Sequence, residues 1–375
     1  MLKLFNAMTS LQGASASIVD LGRSVFYNGL SKSLKTTWES FNSKMTRQIY
    51  AMTKKEGRLS GELFEMQLNT RAMIFNDISQ LYDTGSKIHA GMQKMSGAFF
   101  MVNLMSPFNQ MIKTHQTLMV TSRILEECEN WVKGVISPKN EARLAQSGID
   151  LNDAKAIISE YTEHGMGAGS KNVNDLKHSR LANSHEWIEQ KIAKKFNLAV
   201  QNEVNIGIIT PALGDTPLWM STQLGGVLAQ FKKFSMGMTQ RMLVRGFQEK
   251  DANFFGNIIM MVALGAVIDM MRTRAFDGDY SKKPFINKIN DAFERSGVGG
   301  IFMDVNNAGQ RLLMDDMGGK LGAITGPSGS QVDKILGIAT ADASDEMASN
   351  VRRLIPFQNI WYLDSLFDRI EQGIQ

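Results

Sequence analysis

The chain has 375 residues, 43% hydrophobic and 21% charged, with a formal net charge of +4. That length allows one to three folding units, and the balance excludes both intrinsic disorder and an ordinary multi-pass membrane protein. So small a net charge leaves any nucleic-acid affinity to local clusters of Lys and Arg, and a single cysteine, Cys128, excludes an intrachain disulfide, as fits synthesis in a reducing compartment. The 25 methionines, many beside Phe, either provide apolar surface that can repack against more than one environment or replace Leu in a core.

Residues 1–26 lack the long apolar region and small-residue cleavage site of a signal peptide, so export by the general secretory route is not expected. From Ser24 to about Met95, apolar residues recur at helical spacing, as in Leu30, Leu34, Trp38, Phe41 and Met45. No proline precedes Pro107, which permits long uninterrupted helices. The apolar run Met95–Met105 is stopped by Ser106-Pro107 and is too short to span a bilayer. With Phe108, Met111, Leu118, Met119 and Val120 it reads as a core-packing arm of a helical hairpin.

Gly148 breaks the next segment, and Asp150 is placed to cap a helix that turns Ala154, Ile157 and Ile158 inward. His164–Lys171 follows as a flexible, glycine-rich loop. It does not match a phosphate loop, because Ser170 stands where the second Gly is needed and Asn172 replaces the hydroxyl residue. Leu181–Asn205 is amphipathic, with Trp187, Ile188, Ile192, Phe196 and Val200 on one side. A turn at Pro211 and Pro217 opens a helix over 217–248, off whose apolar stripe lie Lys232 and Lys233. With Arg241 and Arg245 before the next apolar run, and Arg272 and Arg274 after it, they form a basic collar. Such a collar suits lipid phosphates or a DNA backbone, or is simply a solvated surface.

That apolar run, Asn253–Met271, carries one charge, Asp269. As a helix it would be roughly 27 Å long, just short of the roughly 30 Å hydrocarbon core of a bilayer. Two readings follow. The run is either a helix buried in a helical core or one that enters a membrane conditionally, with Phe254, Phe255, Ile258, Ile259, Val262 and Ala266 as the membrane-contact residues. Asn257, Asp269, Gly256 and Gly265 oppose permanent insertion. Residues 276–350 are rich in Gly and Asp and read as loops with short helical patches, such as Ile286–Phe293, that pack against a helical body. Asp304, Asp315 and Asp316 lack the spacing of a calcium loop. A terminal helix with Trp361, Leu363, Leu366, Phe367 and Ile370 is too apolar to be left undocked.

The expected fold is therefore all-α: an elongated multi-helix assembly with long N-terminal helices (1–94), a central apolar helical core (95–275) and a Gly-rich, partly irregular C-terminal part with a docked helix (276–375). No Ser/His/Asp trio, Cys/His pair or metal-spaced cluster emerges, and His89, His115, His164, His178 and His185 are scattered. No catalytic residue, metal or cofactor is expected.

Four stretches carry a resemblance: Gly13–Leu30, Arg143–Ile157, Ile209–Phe234 with its GDTP and QFKKF pieces, and Leu354–Ile370 with Pro356 and Trp361-Tyr362. In this order they resemble the C-terminal region of the large internal virion, or ejection, proteins of short-tailed bacteriophages and the related large polyvalent proteins. The resemblance implies a protein held in the virion interior that passes to the host periplasm and inner membrane at infection and helps form a conduit for the genome. Its implied partners are further copies of itself, other internal virion proteins, phage DNA bound weakly and without sequence preference, and the host membrane.

Some larger relatives carry a lytic transglycosylase domain, and Glu39-Ser40 matches the catalytic dipeptide of those enzymes without its following context. Glu39 is expected to be a solvated helix-surface residue. The alternatives to the conduit are a wall-hydrolase fragment and a purely structural head scaffold.

Overall fold

The computed structural model describes residues 30–42, 46–59, 101–102, 105–172, 176–207, 252–275 and 279–299. Of these, 78% are helical, in eight helices, and the only paired strands are two residues each, so the described part is all-α. The expected helix over 217–248, the Gly-rich segment from 300 onward and the terminal helix lie outside the described residues. Chain contacts group the protein into two units, one formed by 20–66 and 109–209, the other by 1–19, 67–108 and 210–375.

The first unit is built around α3 (Met105–Val132), whose residues from Ile112 to Leu125 are all buried. A helix buried all round is ordinarily apolar. Here Lys113, Thr114, Gln116, Thr117, Thr121, Ser122 and Arg123 are buried with Ile112, Leu118, Val120, Ile124 and Leu125. Several of the hydroxyls return to their own helix: Thr114, Thr117 and Ser122 donate to the carbonyls of Gln110, Lys113 and Leu118 at 2.7–2.8 Å. This back-bonding satisfies the hydroxyl donor of a short polar side chain within its own helix, and Ser122 Oγ accepts in addition from Arg180 N.

Around α3 lie α1 (Leu30–Asn42), α2 (Thr46–Leu59), α4 (Pro138–Gln146), α5 (Leu151–His164) and α6 (Gln190–Gly207). Leu125 and Cys128 of α3 join Leu144, Ile157, Tyr161, Trp187, Phe196 and Val200 in one core. Burial pushes the Cys128 thiol well above its ordinary range, aided by the charges of Glu127 and Asp153. In that core the Trp187 ring lies 5.0 Å from Phe196, and its indole N–H donates to the Ala182 carbonyl at 2.9 Å. Trp187 nevertheless precedes α6, and Ile188 is exposed. The apolar face expected over 181–205 therefore begins only at Ile192, because the chain enters α6 through a short turn at Ser184–Glu186.

Local sequence sets the start of α5. Asp150 accepts from the N–H of Asp153 at 2.8 Å while Asp153 Oδ2 accepts from the N–H of Asp150 at 3.0 Å, a reciprocal capping box. Ala154 and Ile157 point inward as the spacing predicts, and Ile158 is half-buried. Asp150→Ala should cost about 1 kcal/mol, read as a lower thermal midpoint with unchanged helix content.

The segment after α5, expected to be flexible, is instead tied down. Met166–Gly167 (β1) pairs antiparallel with Arg180–Leu181 (β2). The Tyr161 hydroxyl donates to the Ala168 carbonyl at 2.9 Å, and the Ser170 hydroxyl donates to that of Gly167 at 3.0 Å. Gly167 sits at φ 108°, and a Cβ there would lie 2.4 Å from the Ser179 carbonyl oxygen, so only glycine fits.

α1 packs the wrong way round for an amphipathic helix. Ser33 and Thr36 are buried, whereas Leu34 and Trp38, on the apolar stripe, are exposed, Trp38 by 72%. α1 is held to α3 by Lys32–Glu126 and by a 2.8 Å hydrogen bond between Thr37 Oγ1 and His115 Nε2. Burial pushes the His115 pKa down to about 4, so the ring is neutral near pH 7. The hydroxyls of Ser33 and Thr36 and the Gln116 amide are buried without hydrogen-bond partners. Each such group costs about 1–3 kcal/mol.

Candidate functional site

In the second unit, the apolar run forms α7 (Ala252–Ala275), followed by a single turn at Tyr280–Lys282 and by α8 (Phe285–Ser296). Pro284 stops the turn, and α8 begins directly after it. One side of α7 buries Met261, Gly265, Ile268 and Asp269, and α8 buries Ala292 and Ser296. The two backbones meet at Gly265, where a Cβ would lie 2.1 Å from the Ala292 carbonyl oxygen.

A charge pair locks the hairpin. Lys283 Nζ lies 2.7 Å from Asp269 Oδ2 and also meets Asp291. The ammonium loses hydration here, but the two carboxylates outweigh that and raise its pKa. Asp269, the one charge of the apolar run, is thus a buried partner within the hairpin. The sequence shows Lys283 only as one of two lysines before Pro284, with nothing in its spacing to Asp269 to mark the pair.

The opposite side of α7 is apolar and exposed. Phe255, Ile259, Val267 and Met271 lie in steps of four or eight residues, with Ile259 70% exposed. α8 adds Phe285, 77% exposed, together with Ile286 and Ile289. Of the expected membrane-contact residues, Phe255 and Ile259 are on this exposed side, and Ile258, Val262 and Ala266 are half-buried. Phe254 lies on α7, but its side chain falls outside those described. Val267 and Met271 fall outside the expected set because the exposed line of α7 runs i, i+4, whereas helical spacing alone permits steps of three or four. Phe285, Ile286 and Ile289 had a signal, the apolar positions of KKPFINKIN.

The basic collar is only partly placed. Arg274 is exposed at the end of α7; Arg272 is on the same helix without a described side chain; Lys232, Lys233, Arg241 and Arg245 lie outside the described residues. Among the described residues no helix is long and apolar enough to cross a membrane, and no group of three or more His, Cys, Asp or Glu could hold a metal ion.

Glu39 is not the solvated residue expected. It is half-buried on α1, and its carboxylate accepts backbone N–H bonds from Lys177, His178 and Ser179. Both oxygens are engaged by the main chain. The buried pair Glu127 and Glu203 is likewise set among structural partners, Arg123, Arg143 and Ser147.

No protein-family model matches the chain, and neither the curated proteins nor the solved structures yield a match.

Proposed function

We propose that this chain is a phage internal virion protein that takes part in genome delivery through the host envelope, an elongated helical component without enzymatic activity of its own. The observation that carries the reading is the line of exposed apolar residues on α7, Phe255, Ile259, Val267 and Met271, with further exposed apolar residues, Phe285 and Ile286, on α8, the two helices being knit to each other by Asp269–Lys283. A surface of that kind marks a partner or a lipid boundary. The four sequence stretches that resemble ejection proteins supply the setting, with the Met-rich composition as secondary support. Contact with the bilayer is made in this reading by a helix face and not by a lone spanning helix; among the described residues no helix is both long and apolar enough to cross a membrane.

In this reading the chain assembles with copies of itself and with other internal virion proteins, leaves the head at infection and lodges in the periplasm and inner membrane. DNA passes it with weak, sequence-independent contacts, as the net charge of +4 permits.

Tagged protein followed through infection tests this. It should be recovered in the host envelope after DNA entry, whereas a chain retained in the emptied head while delivery proceeds normally would establish the scaffold alternative. Ile259→Arg gives the matching surface test. Being exposed, the position should accept Arg with unchanged helix content, and leakage of dye from anionic liposomes should fall at least about tenfold, since Arg within the hydrocarbon region costs about 2.5–3.5 kcal/mol.

A further inference from the structure

Three consecutive backbone N–H groups converge on one carboxylate in the first unit. Lys177 N donates to Glu39 Oε1, His178 N lies 3.1 Å from Oε1 and 2.9 Å from Oε2, and Ser179 N lies 2.6 Å from Oε2. Successive N–H groups turned toward one point form a concavity of positive potential, the arrangement by which main chains bind phosphate and other oxyanions. We propose that residues 177–179 are a phosphate-binding nest in which Glu39 acts as an internal stand-in, and that a phosphate group entering it displaces Glu39 and loosens α1.

The nest and its plug are unequally anchored. Leu176 and Leu181 on either side of the nest are buried with Ile49 and Leu118, and Arg180 N donates to Ser122 Oγ at 2.8 Å, so the loop is fixed to α2 and α3. The Ser179 hydroxyl, on a residue of the nest, is fully buried and has no hydrogen-bond partner. Lys177 and His178 are exposed, so solvent reaches the loop at the nest.

The directed contacts of α1 among the described side chains are, by contrast, polar. Ser33 and Thr36 are buried without partners, Leu34 and Trp38 turn outward, and Glu39, Lys32 and Thr37 make bonds to other elements. Loss of the Glu39 clasp removes the contact with the most donors. A phosphate carries more negative charge than a carboxylate and offers more acceptor oxygens to the same N–H groups, so it competes for them. Glu39, tethered on its helix, resists with an effective concentration in about the millimolar range. No step of this depends on the ejection reading.

Inorganic phosphate and a short oligothymidylate, titrated at constant ionic strength into the full chain and read from the amide resonances of 177–179, test the proposal. Glu39→Ala should bind at least about tenfold more tightly than the wild type, because the internal competitor is gone. In the wild type, binding should speed hydrogen exchange across 30–42. His178→Pro in the Glu39→Ala background removes a central N–H and should abolish the gain. Binding of phosphate itself identifies a free or terminal phosphate as sufficient, and binding of the oligonucleotide alone identifies the phosphodiester backbone. Glu39→Gln, which keeps one acceptor, is the second variant should Glu39→Ala lose helix content, with an intermediate affinity expected. Equal affinity in wild type and variants, no movement of the 177–179 amides with either probe, or a gain that survives His178→Pro would overturn it.

Discussion

Gly265→Ala will loosen the α7–α8 hairpin although alanine is the better helix former, and Gly256→Ala, on the same helix, will stabilise it. At Gly256 a Cβ meets nothing within 4 Å, so the helix-propensity gain of about 1 kcal/mol is realised in full. At Gly265 the same Cβ would stand 2.1 Å from the Ala292 carbonyl oxygen and 2.9 Å from the Ser296 nitrogen. These are backbone atoms of α8 and cannot rotate aside, so the helices must separate. Overpacking of this kind costs about 1–3 kcal/mol or more, which exceeds the propensity gain. Gly265→Val, with two further methyl groups, should cost more than about 3 kcal/mol. The effect is read as faster hydrogen exchange across 258–271 and 285–296, with Lys283–Asp269 lost as the helices part. An unchanged exchange pattern in Gly265→Val would mean that the two backbones are not in contact.

What the sequence made legible was what depends on near neighbours. Helix in place of strand followed from apolar spacing, and the Asp150 cap followed from an Asp placed just after the Gly148 break and just before an inward-turned helical pattern. The exposed side of α7 was half legible. Phe255 and Ile259 could be read as facing out, but which residues continued the line depended on where Gly265 lets α8 in, and one sequence carries no distance between Gly265 and Ala292.

Glu39 was misread because a carboxylate on a helix looks the same whether water or a distant loop meets it, and its partners are 138–140 residues away. α1 shows the limit of amphipathicity as a guide. Periodicity finds the apolar side of a helix, but the side that is buried is set by what it packs against. α3 offers it Glu126 and His115.

Two carboxylates of the same core should respond to mutation with opposite signs. Glu203 on α6 accepts from Arg123 Nη2 at 2.8 Å and from Ser147 Oγ at 3.0 Å, nearly fully buried. Burial pushes its carboxyl up, but the charge and hydrogen bond of Arg123, with Arg143 and Ser147, outweigh burial and hold it below the ordinary value. The folded state therefore releases this proton more readily than the unfolded chain. Its contribution is fully present above the unfolded value of about 4.3 and is lost as pH falls through the lower folded value. Glu127 on α3 is the reverse. Burial pushes it up further than Arg123, Arg143 and Lys32 pull it down; Arg143 is 4.0 Å from Oε1, and Oε2 has no hydrogen-bond partner. A group whose folded value is raised is favourable below about pH 4.3 and loses that contribution as pH rises through the folded value, so at neutral pH its charge is a burden. Glu203→Ala should cost about 3–5 kcal/mol at pH 7, because it leaves the Arg123 guanidinium buried without its carboxylate. The cost should shrink as pH falls below about 4. Glu127→Gln should be neutral or stabilising at pH 7 and lose any advantage in acid. Thermal melts of the two variants across pH 3 to 8 decide the matter, and two losses of equal size at pH 7 would show that Arg123 and Arg143 hold both carboxylates alike.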